Sequence, residues 1–153
     1  MIQHLLLPLV CDRFTNDAHY REGHLRVVNA LPSRKVLGLH TPKMKLVAKQ
    51  TNISLRGDVI YSVYVRNHTP EGGRTGCCNG REVIHCFEQY PSEALCYEEC
   101  VIWGFLINLE KCTVEERFSM LSRFVPVMDN WAVCDAYCAN AKWMARLPKD
   151  QLW

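Results

Sequence analysis

Apolar residues recur at helical spacing over the last third of the chain and are less regular before it. From Pro91 to Leu109, the residues Cys96, Val101, Ile102, Phe105 and Leu109 fall near helical spacing, which predicts a helix over 91–109. Thr113-Val114-Glu115-Glu116 is a capping box, because the Thr hydroxyl and the Glu carboxylate can each accept an orphaned backbone N–H. The helix it opens carries Val114, Phe118, Leu121 and Phe124/Val125 as its apolar positions, and Pro126 ends or kinks it. Asp129 or Asn130 then caps a third helix running to about Arg146. With Trp131 as zero and roughly 100° per residue, Val133, Cys134, Tyr137, Ala141 and Met144 form its core stripe. Trp131, Asp135, Cys138 and Lys142 fall on a different face. Three successive helices with short links predict an all-α chain of stacked antiparallel pairs, as in an α-solenoid.

The earlier part is harder to read. Residues 1–30 show no sustained period and predict no element. Thr41 can cap a helix whose first position is Pro42, where the missing N–H costs nothing. Lys43 to Gln50 would follow as a basic helix with Met44, Val47 and Ala48 on one side. Val59 to Val65 is rich in β-branched and aromatic residues and reads locally as a strand. Residues 66–80 read as a loop, with Pro70 and four of the eight glycines, but without the G-x-x-x-x-G-K-[ST] of a phosphate-binding loop. The expectation is one helical-repeat domain over 1–153, clearest over 91–147 and irregular over 51–90.

Composition narrows the class. The 153 residues, 48% hydrophobic and 22% charged, have room for one core and exclude a disordered tail, a collagen or a coiled coil. Net charge is only +2, but residues 1–80 hold 11 Lys and Arg against 5 Asp and Glu, and residues 81–153 hold 7 against 11. The first half thus has the surplus that a phosphate backbone attracts. Arg34, Lys35, Lys43, Lys45 and Lys49 occupy a stretch without an acid and are the expected DNA-binding cations, with Lys142 joining them. The plainer alternative is a solvated basic helix. Nine cysteines form no C-x-x-C pair and read as small core residues, against the alternatives of a metal site or a secreted disulfide protein. No run approaches the 18 apolar residues of a membrane span, and the Leu-rich start lacks a basic leader region, so an intracellular location is expected.

Trp131 and Asp135 are neighbours one helical turn apart, near a helix start and away from the apolar stripe. The plain reading is a Trp at the core's edge beside a solvated Asp that favours the helix N-terminus. The functional one is an aromatic wall beside a carboxylate that stabilises developing positive charge.

Three segments carry a resemblance. Asp129-Asn130-Trp131-Ala132-Val133-Cys134-Asp135 resembles the D-N-W-A-V-C-D segment of the HEAT-like DNA alkylation repair glycosylases, the AlkD-type family. Tyr97-Glu98-Glu99 followed by Gly104-Phe105-Leu106-Ile107 resembles the helix preceding it. Gly38-Leu39-His40-Thr41-Pro42 is similar to that family's G-[VI]-[RK]-T-P helix start, with His40 at a position where a basic residue is usual. The resemblance implies helical repeats gripping duplex DNA on a basic concave surface. It implies excision of N3- and N7-alkylated purines, without a base pocket and without metal or organic cofactor. By that resemblance Trp131 lies against the deoxyribose and Asp135 is the catalytic carboxylate, stabilising oxocarbenium-like charge and positioning water. HEAT-type repeats take about 40–47 residues, so 153 residues hold little more than three, which implies a truncated or rearranged relative. The alternative function is a non-catalytic HEAT-like module that binds nucleic acid or protein.

Overall fold

The structure, a computed structural model, describes residues 2–53 and 80–148, and among these the regular elements are helices with no strand. The all-α expectation holds. The expected strand at 59–65 and most of the glycine-rich loop lie outside the described residues. The helices are α1 (Gln3–Leu6), α2 (Asp12–Asn16), α3 (Ala18–Val28), α4 (Thr41–Ile53), α5 (Gly80–Glu88), α6 (Tyr97–Leu109), α7 (Val114–Phe124) and α8 (Trp131–Cys138). Short 3₁₀ turns at Leu7–Leu9, Ser92–Ala94, Val125–Val127 and Met144–Arg146 join or end them.

α6 is the axis of the fold. Every residue from Tyr97 to Ile107 is buried, and α4, α5, α7 and α8 pack around it. From Cys100 to Ile107 the helix is apolar on all sides, and a stretch of that kind can satisfy itself only in such a position. Gly104 lets α7 and α8 close on it, since a Cβ there would stand 2.9 Å from the Phe124 ring. The ring of Trp103 stacks on Phe87 of α5 and tilts against Phe124 of α7, linking the three helices through aromatic contacts. Arg117 of α7 closes the C-terminus of α6 by donating to the carbonyls of Ile107 and Glu110, the latter at 2.6 Å. A cation suits the negative end of that helix dipole.

Several boundaries differ from those expected. The helix predicted over 91–109 begins at Tyr97, because Ser92–Ala94 forms a 3₁₀ turn and Leu95 and Cys96 are extended. The Thr113 capping box forms as read, with both reciprocal bonds present. The buried face of α7, however, is Arg117, Met120 and Phe124, and Phe118 and Val125 are exposed. Asn130 caps α8 by accepting from Val133 N at 3.1 Å, but the helix stops at Cys138 rather than near Arg146. There Asn140 turns back to donate to the Ala136 carbonyl at 2.8 Å, and the chain continues as turns. Of the expected stripe on that segment, Val133, Tyr137 and Ala141 are buried, and Cys134 and Met144 are partly so. The basic helix at 41–53 does bury Met44, Val47 and Ala48.

Two parts read as irregular are helical. Residues 1–30 hold α1 to α3, and α5 buries Val83, Ile84 and Phe87 on one face.

Candidate functional site

The residues that carry the resemblance divide into those that build the fold and those left at its surface. Glu98 and Glu99 are fully buried, and both carboxylates hold backbone. Glu98 Oε1 accepts from the amides of Leu37 (3.0 Å), Gly38 (2.7 Å) and Leu39 (3.2 Å), and its Oε2 also accepts from Leu37 (3.0 Å). Burial pushes its carboxyl above the ordinary range, opposed by these same N–H groups. Glu99 accepts from Cys96 N at 3.0 Å and from Ile2 N at 2.5 Å, capping α6 and anchoring the start of the described chain. Gly38 completes the bend with φ +92° and the Phe14 ring occupying the place of a side chain. A residue with a Cβ would be strained there whatever its size. This bend delivers His40, whose carbonyl accepts from Lys43 N and Met44 N as α4 begins. The expected cap, Thr41, lies one residue further in.

Asp129 is also structural. It pairs with Arg34, whose Nη1 donates to the carbonyls of Ser92 and Leu95, each at 2.8 Å. Arg34 is 8% exposed, so this expected DNA-binding cation is corrected to an internal brace. It ties the 29–40 connection to the start of α6 and the entry to α8.

Trp131 and Asp135 are different. Trp131 is 52% exposed and Asp135 is exposed, one turn later on α8. They line a cleft of about 560 Å³ between α8 and α3, with Tyr97 of α6 and the His40-Thr41-Pro42 entry to α4. On the opposite side stand Tyr20, His24 and Val27 of α3. Tyr20 Oη and His40 Nε2 are hydrogen-bonded at 3.0 Å. His24 stacks edge-on against Phe14, and its Nε2 is buried without a partner. Burial, and then the charge of His40, push the His24 imidazole below its ordinary range, so it stays neutral further into acid. Burial, then the charge of Glu98, push the Tyr97 hydroxyl up to about 12. The cleft therefore offers one exposed carboxylate, an indole face and an imidazole–phenol pair.

The lysines do not form a single row. Lys35 donates to Gln3 Oε1 at 3.3 Å and Lys43 to the Leu9 carbonyl at 2.9 Å, both toward the N-terminal segment. Lys45 points the other way and donates to Asn140 Oδ1 at 2.5 Å, at the cleft's edge on the α8 side. Lys49, one turn after Lys45, is exposed, as is Lys142 in the turn beyond α8. Sequence reasoning overlooked Tyr20 and His24, which share a face of α3 at i, i+4 spacing; that spacing was the available signal.

A second groove, of about 550 Å³, runs between α5 and α7, but its charges largely satisfy one another. Arg81 pairs with Glu110 and Glu116, and Arg123 with Glu88 at 2.7 Å. Among the described residues no cluster of three or more His, Cys, Asp or Glu side chains could hold a metal. No helix among them is long and apolar enough to cross a membrane. No protein-family model, curated protein or solved structure matches the chain.

Proposed function

We propose that the chain is a DNA glycosylase for alkylated purines that works in the α3–α8 cleft. The observation that carries this reading is the exposure of Trp131 and Asp135 in a cleft, while their motif neighbours Asp129 and Asn130 are engaged in the fold. The reading takes the helices around α6 as HEAT-like repeats and duplex DNA as the partner, gripped from the Lys45–Lys49 side. N3- or N7-alkylation leaves a purine cationic and a good leaving group, so little general-acid help is needed. As the glycosidic bond breaks, positive charge develops on the deoxyribose. Asp135 stabilises that charge and orients the attacking water, and the Trp131 indole supports the sugar face. No step calls for a metal or organic cofactor.

The test is release of 7-methylguanine from methylated duplex by this chain and by its Asp135→Asn variant. Loss of one preorganised electrostatic group predicts a fall in rate of about 10²–10³ with folding intact. Affinity for undamaged duplex should hold or rise slightly, since a carboxylate facing DNA repels phosphate. Release at the parent rate by the variant would remove Asp135 from the chemistry. Duplex binding without base release by either protein would favour a non-catalytic helical module.

A further inference from the structure

Cys134 and Cys138 sit one turn apart on α8, beside Asp135, with their sulfur atoms 3.9 Å apart. Cys138 is exposed and Cys134 partly so, which sets them apart from the core cysteines that the sequence predicts. Cys96 and Cys100 have the same i, i+4 spacing and are a built-in contrast. Both are fully buried, Cys100 Sγ accepts from Arg34 Nη1 at 3.3 Å, and burial pushes both thiols up, Cys100 to about 12. They are core residues. The pair on α8 lies outside the core and, among the described residues, has no arginine beside it, and partial burial and then the Cys134 thiol push the Cys138 thiol up as well.

The sulfur separation fits one chemistry better than another. Two thiolates bound to a tetrahedral zinc at about 2.3 Å stand about 3.8 Å from each other. Helical neighbours at this spacing have Cβ atoms about 5–6 Å apart, whereas a disulfide needs about 3.5–4.5 Å. A cation can thus be taken up by the intact helix, but an S–S bond would require α8 to unwind.

We infer that Cys134 and Cys138 form a two-thiol chelate for a soft divalent cation of the zinc class, on the shoulder of the cleft beside Asp135. On binding, both S–H bonds break, two protons pass to water, two sulfur–metal bonds form, and no oxidation state changes. Two coordination positions remain for water or an outside ligand, which makes the ion exchangeable rather than structural. This inference does not depend on the glycosylase reading.

The experiment titrates the reduced full chain with cadmium ion, in a Cys77→Ser/Cys78→Ser background so that those adjacent thiols cannot compete. Two readouts are followed: the ultraviolet thiolate-to-cadmium band, and mass-spectrometric mapping of thiol alkylation. The expected result is one ion per chain, protection of Cys134 and Cys138 together, and unchanged labelling of Cys11, Cys86 and Cys112. Zinc added alone should protect the same pair, and cadmium, the softer ion, should displace it. Cys134→Ser and Cys138→Ser each remove one of two direct ligands and should weaken binding by more than the roughly tenfold lost when only an outer-shell partner is removed, and Cys112→Ser should not. Helical circular dichroism should persist through the titration. Protection of other cysteines, indifference to both serine variants, or an S–S bond between Cys134 and Cys138 as the only product would each overturn the inference.

Discussion

Replacing Glu98 tests how the fold presents the cleft, because one buried carboxylate fixes the bend that carries His40 to the rim. Glu98→Ala leaves the amides of Leu37, Gly38 and Leu39 without an acceptor in a site closed to water. Each orphaned N–H costs about 1–3 kcal/mol, so the total is about 3–9 kcal/mol. That rivals the whole stability of a typical domain, about 5–15 kcal/mol. Glu98→Gln is a sharper probe. Its carbonyl can replace Oε1, which takes three of the four contacts, and only the amide group at the Oε2 position faces the Leu37 N–H. Burial already raises the Glu98 carboxyl, so desolvating its charge outweighs what the N–H groups return, and losing the charge is itself no great cost. The expected loss for Gln is about 1–2 kcal/mol, from one donor facing another.

The sign of the pH dependence follows. A carboxyl whose folded value lies above its unfolded 4.5 keeps its proton in the native state after the unfolded chain has lost it. Its contribution is fully present below 4.5 and declines as pH rises through the raised folded value. The gap between parent and Glu98→Gln should therefore narrow as pH rises. Urea unfolding across pH gives the energies, and hydrogen exchange at Leu37, Gly38 and Leu39 shows whether the loss is local to the bend. A Gln variant as damaged as the Ala variant would refute the argument, because the charge rather than the acceptor geometry would then hold the bend.

Other substitutions probe neighbouring parts. Arg34→Met strands Asp129 beside the core and should cost about 3–5 kcal/mol in denaturant unfolding, with part recovered by adding Asp129→Asn. The same Arg34 variant, where it remains folded, should leave the salt dependence of duplex binding unchanged. Changing Lys45 and Lys49 to Ala should flatten that dependence by about 0.9 in log–log slope per lost phosphate contact, and an unchanged slope would exclude the α4 lysines from the interface. Gly38→Ala places a Cβ 2.1 Å from the Phe14 ring at a positive φ and should lower the melting temperature, with Phe14→Ala relieving only the steric part.

What the sequence made legible depended on whether an element faces the core. α7 and α8 announce themselves because capping residues and apolar positions coincide at Thr113 and Asn130, whereas α6 shows through its apolar run alone, which sets its start too early. α3 buries Val28 and leaves Leu25 and Val27 exposed, so no apolar period marks it. α5 does carry a helical trio in Val83, Ile84 and Phe87, but its nine residues follow a glycine-rich stretch that reads as loop. The end of α8 was obscured because Ala141 and Met144 stay in phase with the helix although the chain between them turns. Arg34 was misplaced for a different reason. It stands beside Lys35 in a stretch without an acid, and only the tertiary fold brings the acid, Asp129, that draws it inside.

The division of labour within Asp129-Asn130-Trp131-Ala132-Val133-Cys134-Asp135 bears most directly on function. A segment kept only for folding would need an acid for Arg34, a cap for α8 and an apolar residue for the core. Asp129, Asn130 and Val133 supply these. The fold makes no comparable demand at position 131, where a half-exposed Trp offers a large apolar face to water rather than to the core. Single exposed apolar residues are ordinary on a protein surface, and what distinguishes Trp131 is its place in the cleft beside Asp135. The exposed acid one turn on faces the same cleft, opposite His40 and Tyr20, so whatever covers the indole also meets a carboxylate. In the proposed reaction a sugar acquiring positive charge would meet both, whereas an apolar protein partner would leave Asp135 buried and unpaired, at a cost.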